Sequence, residues 1–235
     1  MKIVSRTHIG KVRASNQDAL LVQSGPHGIY GVADGMGGHN GGDIASQMAV
    51  LLLGRVLEGK QPSEEDLRSG IEEVNRLIFT EQLNNRDLSG MGTTLTVLWE
   101  DQDRLLLGHV GDSRAYRIHA GKISQVSLDH SMVAEMVRNG VITEEEARVH
   151  PYRNIITRAL GTADTVQVDV TEIDLYPGDK FLLCSDGLSE YVRPEEMLSI
   201  LSGTPTDDAA DQMLNMALDG GGRDNITLLI AEVTA

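Results

Sequence analysis

Four aspartates recur in one kind of setting along this 235-residue chain, and grouped carboxylates of this type can bind hard metal ions. Asp34, Asp112 and Asp186 each follow a short, mainly apolar run, and Asp224 directly precedes the last such run. Glycine stands beside or close to each of them, which permits tight turns and close backbone approach. Because the end of one antiparallel strand lies beside the start of its neighbour, we expect the four carboxylates to meet at one rim.

Carboxylates gathered at one point repel each other, so they require protons or cations to coexist. An oxygen-only set without a cysteine or histidine cluster favours Mg²⁺ or Mn²⁺. Two such ions roughly 3.5–4 Å apart can share an activated water or hydroxide and hold a phosphoryl oxygen. A single Asp-Gly pair would more often only form a turn. The recurrence of the same setting at four positions therefore favours a metal centre over four separate turns.

The elements that must position these aspartates can be placed from apolar periodicity. Strands are predicted at 2–7, 19–22, 28–33, 93–98, 104–110, 115–118, 122–126, 166–173, 180–184 and 225–233. Helices are predicted at 44–57, 64–83, 131–139, 144–149, 194–201 and 207–218. Strands cluster around inserted helix pairs and are joined by short links, which indicates an α+β fold with mainly antiparallel sheets. No linker or repeat interrupts the chain, so we expect one domain over 1–235.

Composition narrows the possible partners and compartments. The formal net charge is −15, which argues against a nucleic-acid partner because phosphate backbones are held by basic surfaces. No run approaches 18 apolar residues and the N-terminus lacks a signal-peptide apolar region, so we expect no membrane segment and a cytoplasmic location. Cys184 is the single cysteine, which fits a reducing compartment, and we expect it to be a small buried apolar residue.

Six motifs in a fixed order make the sequence resemble a known family. They are RASNQD at 13–18, VADGMGG at 32–38, MGTT at 91–94, GDSR at 111–114, SDGL at 185–188 and RDNIT at 223–227. Together they resemble the bacterial branch of the PPM family, the type 2C metal-dependent serine/threonine protein phosphatases. The resemblance runs from about Gly10 to the end of the chain.

The resemblance implies a fold and a set of metal ligands. The fold is a four-layer α-β-β-α sandwich, in which two antiparallel sheets are flanked by helix pairs. Asp34 resembles the ligand that bridges two catalytic ions, the backbone carbonyl of Gly35 a ligand of the first ion, and Asp186 and Asp224 ligands of the second. Asp112, together with Asp186, resembles the weaker third-metal site of bacterial members.

Three further residues receive catalytic roles. Asp18 resembles the acid that holds metal-bound water, and Arg13 resembles the clamp on the substrate phosphate, since a planar guanidinium can hold two phosphate oxygens. The chain departs from the family at Gln17, where many members have glutamate, and at Met36, where animal members have a histidine proposed as general acid. His39 is the nearby candidate donor, because an imidazole titrates near neutrality; a substrate contact or a solvated loop histidine is the alternative.

The function implied by the resemblance is hydrolysis of phosphoserine and phosphothreonine in proteins. A water or hydroxide that bridges two Mg²⁺ or Mn²⁺ ions would attack phosphorus without a covalent phosphoenzyme. Residues 131–161 resemble the family's flap, which would either select protein substrates or form an ordinary surface hairpin. We expect a monomer, phosphoprotein substrates and a cognate serine/threonine kinase. Two alternatives stay open: a phosphatase of small phosphate esters, and a catalytically inactive phosphoprotein-binding module.

Overall fold

Two antiparallel β-sheets stack face to face in the computed structural model, which describes residues 1–37 and 41–234. The strand order in the first sheet is β1 (Lys2–His8), β11 (Ile226–Glu232), β10 (Lys180–Cys184), β7 (Arg114–His119), β8 (Lys122–Gln125). The order in the second is β2 (Asp18–Gln23), β3 (Ile29–Met36), β5 (Leu95–Asp101), β6 (Arg104–Val110), β9 (Asp169–Asp174), and the short β4 (Gly92–Thr93) pairs with β3. Neighbouring strands run antiparallel in both sheets, as the short links predicted.

Helix pairs cover the outer face of each sheet. Helices α1 (Gly42–Leu57) and α2 (Glu64–Asn84) pack on the second sheet, and α6 (Pro194–Gly203) and α7 (Thr206–Asp219) pack on the first. Three shorter helices are α3 (Met132–Arg138), α4 (Glu144–Val149) and α5 (Asp186–Ser189). The expected four-layer α-β-β-α sandwich is therefore confirmed. Across the described ranges, none of these helices combines the length and the apolar character needed to cross a bilayer.

Strand alternation explains the layering. In β6, Leu105 and Leu107 lie in the apolar layer between the two sheets, whereas Leu106 packs in the layer under α1 and α2. In β10, Leu183 lies between the sheets and Leu182 packs under α6 and α7. Because successive side chains of a strand point to opposite faces, strands with such long apolar runs belong to sheets covered on both sides.

The long helix α2 follows its sequence pattern closely. One apolar stripe at helical spacing is fully buried and consists of Leu67, Ile71, Val74 and Ile78. At the N-terminus, the Ser63 hydroxyl oxygen accepts a hydrogen bond from the backbone N–H of Asp66 at 3.1 Å. The same hydroxyl donates to the Asp66 carboxylate at 2.6 Å, so Ser63 and Asp66 are joined by two hydrogen bonds at the helix N-terminus. Through its buried stripe, α2 packs on the outer face of the second sheet.

Residues 131–161, the segment that resembles the family's flap, are tied to the core where the segment begins and ends. The backbone N–H of Thr157 donates to the carbonyl of His130 at 2.8 Å, and Ser131 forms a bridge with Ile156. Helix α4 begins at a reciprocal cap in which Thr143 and Glu146 satisfy each other's backbone N–H groups. Because of the Thr157–His130 hydrogen bond and the Ser131–Ile156 bridge, the two ends of the segment lie side by side where they leave the core.

Three differences from the predicted elements concern the site. Strand β3 continues through Met36, so Asp34 lies inside the strand and not at its end, because β4 pairs with the Gly35–Met36 extension. Strand β9 begins at Asp169, three residues later than predicted. A four-residue helix, α5, begins at Asp186 where the sequence predicted only the end of a strand.

Candidate active site

The backbone of Asp34 is held by hydrogen bonds that leave its carboxylate at the rim. Its N–H donates to Thr94 Oγ1 at 2.9 Å, and its carbonyl accepts from the Thr94 N–H and from Thr93 Oγ1, both at 2.9 Å. In the β2–β3 ladder Asp34 lies directly opposite Asp18. Two carboxylates at directly opposite positions repel each other and destabilise a sheet. Their placement here is therefore not explained by stability.

The two Asp-Gly pairs allow the backbone to close around this point. A Cβ on Gly35 would lie 2.0 Å from the carbonyl oxygen of Gly42, the first residue of α1. A Cβ on Gly187 would lie 2.0 Å from the carbonyl oxygen of Asn225, next to Asp224. Only glycine fits either position, which explains why these aspartates are followed by glycine.

Asp224 is brought to the rim together with the N-terminal loop. The side chain of Asn225 accepts from the Gln17 N–H at 2.8 Å and donates to the carbonyls of Ile9 and Ser15 at 2.9 and 3.0 Å. The loop that carries Arg13 is thereby fixed against the start of β11. Arg13 then places a guanidinium nitrogen 2.6 Å from Asp224 Oδ2, and about half of its side chain stays exposed.

Asp112 lies in the turn after β6, and His130 holds that turn. The Gly111 N–H donates to His130 Nδ1 at 3.0 Å, and the His130 N–H donates back to the Gly111 carbonyl at 2.8 Å. His109 is 1% exposed and lies between Thr96 Oγ1 at 2.9 Å and the Leu128 carbonyl at 3.1 Å.

The aspartates are electrostatically coupled. Burial raises the pKa of Asp34 well above its usual range, and the charges of Asp18, Asp186, Asp112 and Asp224 raise it further. Burial likewise raises the pKa of Asp186, with contributions from Asp112 and Asp224 among others. The charges of Asp112, Asp186 and Asp224 therefore all act on Asp34, which agrees with the expected proximity of the four aspartates.

Asp18 joins this group from β2. Burial raises its pKa to about 6, although hydrogen bonds from Thr227 and Ser185 oppose the shift. Its Oδ2 accepts the Ser185 hydroxyl at 2.8 Å. Its Oδ1 and the Oδ1 of Asp186 are closed off from solvent and have no hydrogen-bond partner in the described residues. Buried carboxylate oxygens without donors are the ligands that a divalent cation completes.

The donor set fits hard cations. Four carboxylates act on Asp34 and Arg13 pairs with Asp224, so negative charge exceeds positive charge around Asp34. In the described part of the chain, no three or more His, Cys, Asp or Glu side chains form a preassembled metal group. The fit to Mg²⁺ or Mn²⁺ thus rests on the coupled charges and the donorless oxygens of Asp18 and Asp186.

Two candidate residues need separate mention. His39 lies outside the described residues, so its role stays a prediction. Cys184 is fully buried in β10, and burial raises its pKa to about 12, which agrees with a packing residue.

Sequence reasoning missed the individual parts played by Thr94, Ser185 and Asn225. Their signal was membership of the motifs at 91–94, 185–188 and 223–227.

Comparison with known proteins decides the family. Residues 6–225 match the family described as protein phosphatase 2C. This chain belongs to the protein phosphatase 2C family. The serine/threonine phosphatase stp of Listeria monocytogenes is 40% identical over 236 residues, which cover 97% of this chain and 94% of that protein. The serine/threonine protein phosphatase PstP of Mycobacterium tuberculosis is 38% identical over 99% of this chain, which corresponds to 45% of PstP.

Solved structures agree with the fold of this 2C-family chain. The crystal structure of Mycobacterium tuberculosis PstP/Ppp superposes with a TM-score of 0.92 at 36% identity, covering 100% of this chain and 99% of that one. A structure of the PstP catalytic domain in complex with two manganese ions superposes with a TM-score of 0.90 at 35% identity, covering 100% and 98%. The family resemblance and the expected α+β sandwich are both confirmed.

Proposed function

We propose that this chain is a Mg²⁺- or Mn²⁺-dependent phosphatase that hydrolyses phosphoserine and phosphothreonine in proteins. The observation that carries the proposal is that the charges of Asp186 and Asp224 act on Asp34, while Arg13 is hydrogen-bonded to Asp224. The named relatives and the manganese-bound neighbour support the same chemistry. Residues 1–235 would form one catalytic domain whose flap borders the site.

The metal ligands follow from the donors at the rim. Asp34, the carbonyl of Gly35, Asp186 and Asp224 would hold two catalytic ions, and Asp112 with Asp186 would hold a third. When bound, such ions act as Lewis acids toward a phosphoryl oxygen and generate a hydroxide nucleophile near neutral pH. The carboxylates fit this role, because burial and then mutual repulsion raise the pKa values of Asp34 and Asp186, and cations would relieve both costs of their charge.

Arg13 and Asp18 would orient the reacting groups. The half-exposed guanidinium of Arg13 can exchange one carboxylate oxygen of Asp224 for oxygens of the substrate phosphate, and its planar donors suit that geometry. Asp18, held by Ser185, presents its second oxygen inward and can accept a proton of a water at the rim. The chain thereby positions both the phosphate and the attacking water.

A covalent phosphoenzyme does not fit the described side chains. Cys184 is buried, and its raised pKa keeps it a thiol. His109 is buried between two hydrogen-bond partners. Water would therefore supply the oxygen that bonds to phosphorus, while the serine or threonine oxygen leaves and takes up a proton. His39 remains the predicted donor of that proton, with a substrate contact as its alternative.

The proposal includes the biological setting. Phosphorylated proteins would be the substrates, and the serine/threonine kinase that produces them would be the functional counterpart of this enzyme. The surrounding compartment would be the cytoplasm, since a single buried cysteine suits a reducing environment. We propose a monomer as the active species.

Release of phosphate from a phosphothreonine peptide tests the proposal. We expect release with Mn²⁺, none with chelator, and almost none from Asp186→Asn. Asp208→Asn, at an exposed site on α7, is the matched control and should act like the wild type. Higher efficiency on a small ester than on the peptide would favour the small-ester alternative. No release from folded protein under any metal would favour a phosphoprotein-binding module.

A further inference from the structure

We propose that Thr7 and Asn16 are positioning residues for Asp18, because they complete a closed ring of hydrogen bonds that leaves the Asp18 N–H and returns to the Asp18 carboxylate. The inference rests on the proposed function in taking Asp18 as the acid that orients the attacking water. It goes beyond that function by giving a part in the reaction to Thr7, a side chain outside the six motifs. The outer half of the ring consists of Asn16 and Thr7, and the inner half of Thr227 and Ser185.

The outer half of the ring has one fixed direction. The Asp18 N–H donates to Asn16 Oδ1 at 3.2 Å, and Asn16 Nδ2 donates to Thr7 Oγ1 at 2.8 Å. A backbone N–H can only donate, so the amide oxygen of Asn16 faces Asp18 and its NH₂ group faces Thr7. Thr7 therefore accepts from Asn16, and its own hydroxyl proton is left for another acceptor.

The inner half of the ring returns to the carboxylate. Thr7 lies opposite Thr227 in the β1–β11 ladder, and the two hydroxyl oxygens are 2.7 Å apart. Because Thr7 already accepts from Asn16, its proton is available to Thr227. The Thr227 N–H donates to Ser185 Oγ at 3.0 Å, and the Ser185 hydroxyl donates to Asp18 Oδ2 at 2.8 Å. The ring thus joins β1 and β11 of the first sheet to β2 of the second.

Burial separates the two halves of the ring. Thr227 is fully buried and Ser185 is 1% exposed, whereas Asn16 is half-buried and Thr7 is exposed. Burial raises the pKa of Asp18, and hydrogen bonds from Thr227 and Ser185 lower it in part, which agrees with hydroxyl donors around this carboxylate. A buried hydroxyl without a partner is costly, so loss of the Thr7 hydroxyl should be felt at Thr227 and from there at Asp18.

The ring restricts the orientation of the Asp18 carboxylate. It holds the backbone N–H at one end and Oδ2 at the other, and Oδ1 is closed off from solvent without a hydrogen-bond partner among the described residues. Oδ1 is thus the oxygen that can accept a proton of the attacking water. The loop that carries Arg13 is held separately, since Asn225 donates to the carbonyls of Ile9 and Ser15. Loss of the ring should therefore disturb the water more than the binding of phosphate.

Thr7→Val tests the ring, because valine keeps the shape and strand preference of threonine but removes the hydroxyl. Amide hydrogen exchange of the metal-free protein, followed by nuclear magnetic resonance, is the first readout and needs no turnover. Exchange of the Asp18 amide should be about twofold to fivefold faster in Thr7→Val, the effect of one neutral hydrogen bond, and should return to the wild-type rate in Thr7→Ser. The amides of Leu229 and Ile230 should keep their rates, which a general loosening of the sheet would raise. Thr171→Val, at an exposed position of β9, is the matched control and should leave the Asp18 amide unchanged.

Steady-state kinetics on a phosphothreonine peptide with Mn²⁺ are the second readout. In Thr7→Val, kcat should fall about twofold to fivefold while KM stays within about 1.5-fold, and Thr7→Ser should restore kcat. An unchanged Asp18 amide, a wild-type kcat in Thr7→Val, or the same loss of kcat in Thr7→Ser would overturn the inference. Faster exchange of the Asp18 amide in a protein that releases no phosphate from peptides would support the ring while the proposed function failed.

Discussion

The hydroxyl of Ser185 donates a 2.8 Å hydrogen bond to Asp18 Oδ2 and thereby joins the two sheets at the rim of the site. Asp18 opens β2 of the second sheet, whereas Ser185 follows β10 of the first. The Ser185 oxygen also accepts the Thr227 N–H at 3.0 Å. One small side chain thus links β2 of one sheet to β11 of the other.

Ser185→Ala should lower both stability and metal affinity. The change leaves the buried Thr227 N–H without its acceptor and removes one hydrogen bond from the Asp18 carboxylate, which costs about 1–3 kcal/mol in the free energy of unfolding. Urea unfolding and Mn²⁺ titration should both show the loss. Ser202→Ala, at an exposed position in the last turn of α6, should change neither stability nor Mn²⁺ affinity. Wild-type stability and affinity in Ser185→Ala would refute the role of this bridge.

Asp34→Asn should stabilise the protein in chelator while abolishing phosphatase activity. Burial and four neighbouring carboxylates raise the pKa of Asp34, so its ionised form opposes folding at pH 8. A neutral amide removes that repulsion, and we expect a gain of about 1–2 kcal/mol in the free energy of unfolding without metal. Added Mn²⁺ should stabilise the wild type and leave the variant nearly unchanged. A variant less stable than wild type in chelator would contradict this electrostatic account.

Much of the fold could be predicted because local pattern and tertiary packing agree. The apolar stripe of α2, from Leu67 to Ile78, is buried as its periodicity indicates, and β6 and β10 have the predicted bounds. The proximity of Asp34, Asp112, Asp186 and Asp224 could also be expected from antiparallel strand ends, and their charges do act on Asp34. The reasoning was incomplete for Asp34, which lies inside β3 and not at its end.

The remainder depends on contacts that sequence spacing does not encode. The extension of β3 past Asp34 requires β4, a two-residue strand too short to show a pattern. Helix α5 begins inside a motif that reads as a turn, so Glu190 could not be assigned to the face of Asp186. The approach of Arg153 to Glu190 depends on how the flap folds back, and residues 37 apart carry no signal of it.

His109 should make the protein lose stability as pH falls from about 6.5 toward 4. Burial, aided by the charge of His130, lowers its pKa from 6.5 to about 4, so the unfolded chain binds a proton that the folded chain refuses. The stability is fully present above pH 6.5, and its loss amounts to roughly 3 kcal/mol at full effect. When the free energy of unfolding is measured in urea at several pH values in this range, it should fall less steeply with decreasing pH in His109→Gln than in the wild type. His150→Gln, at a less buried site, should keep the wild-type slope.

Arg13→Lys should separate phosphate recognition from charge alone. Lysine keeps the positive charge near Asp224 but lacks the planar fork that can hold two phosphate oxygens. We expect kcat/KM on a phosphothreonine peptide to fall at least about tenfold, whereas Mn²⁺ affinity stays within about twofold. Arg223→Lys, at the exposed residue before Asp224, should retain wild-type kinetics. Equal losses in both variants would mean that general positive charge, and not the two-point geometry of Arg13, attracts the substrate.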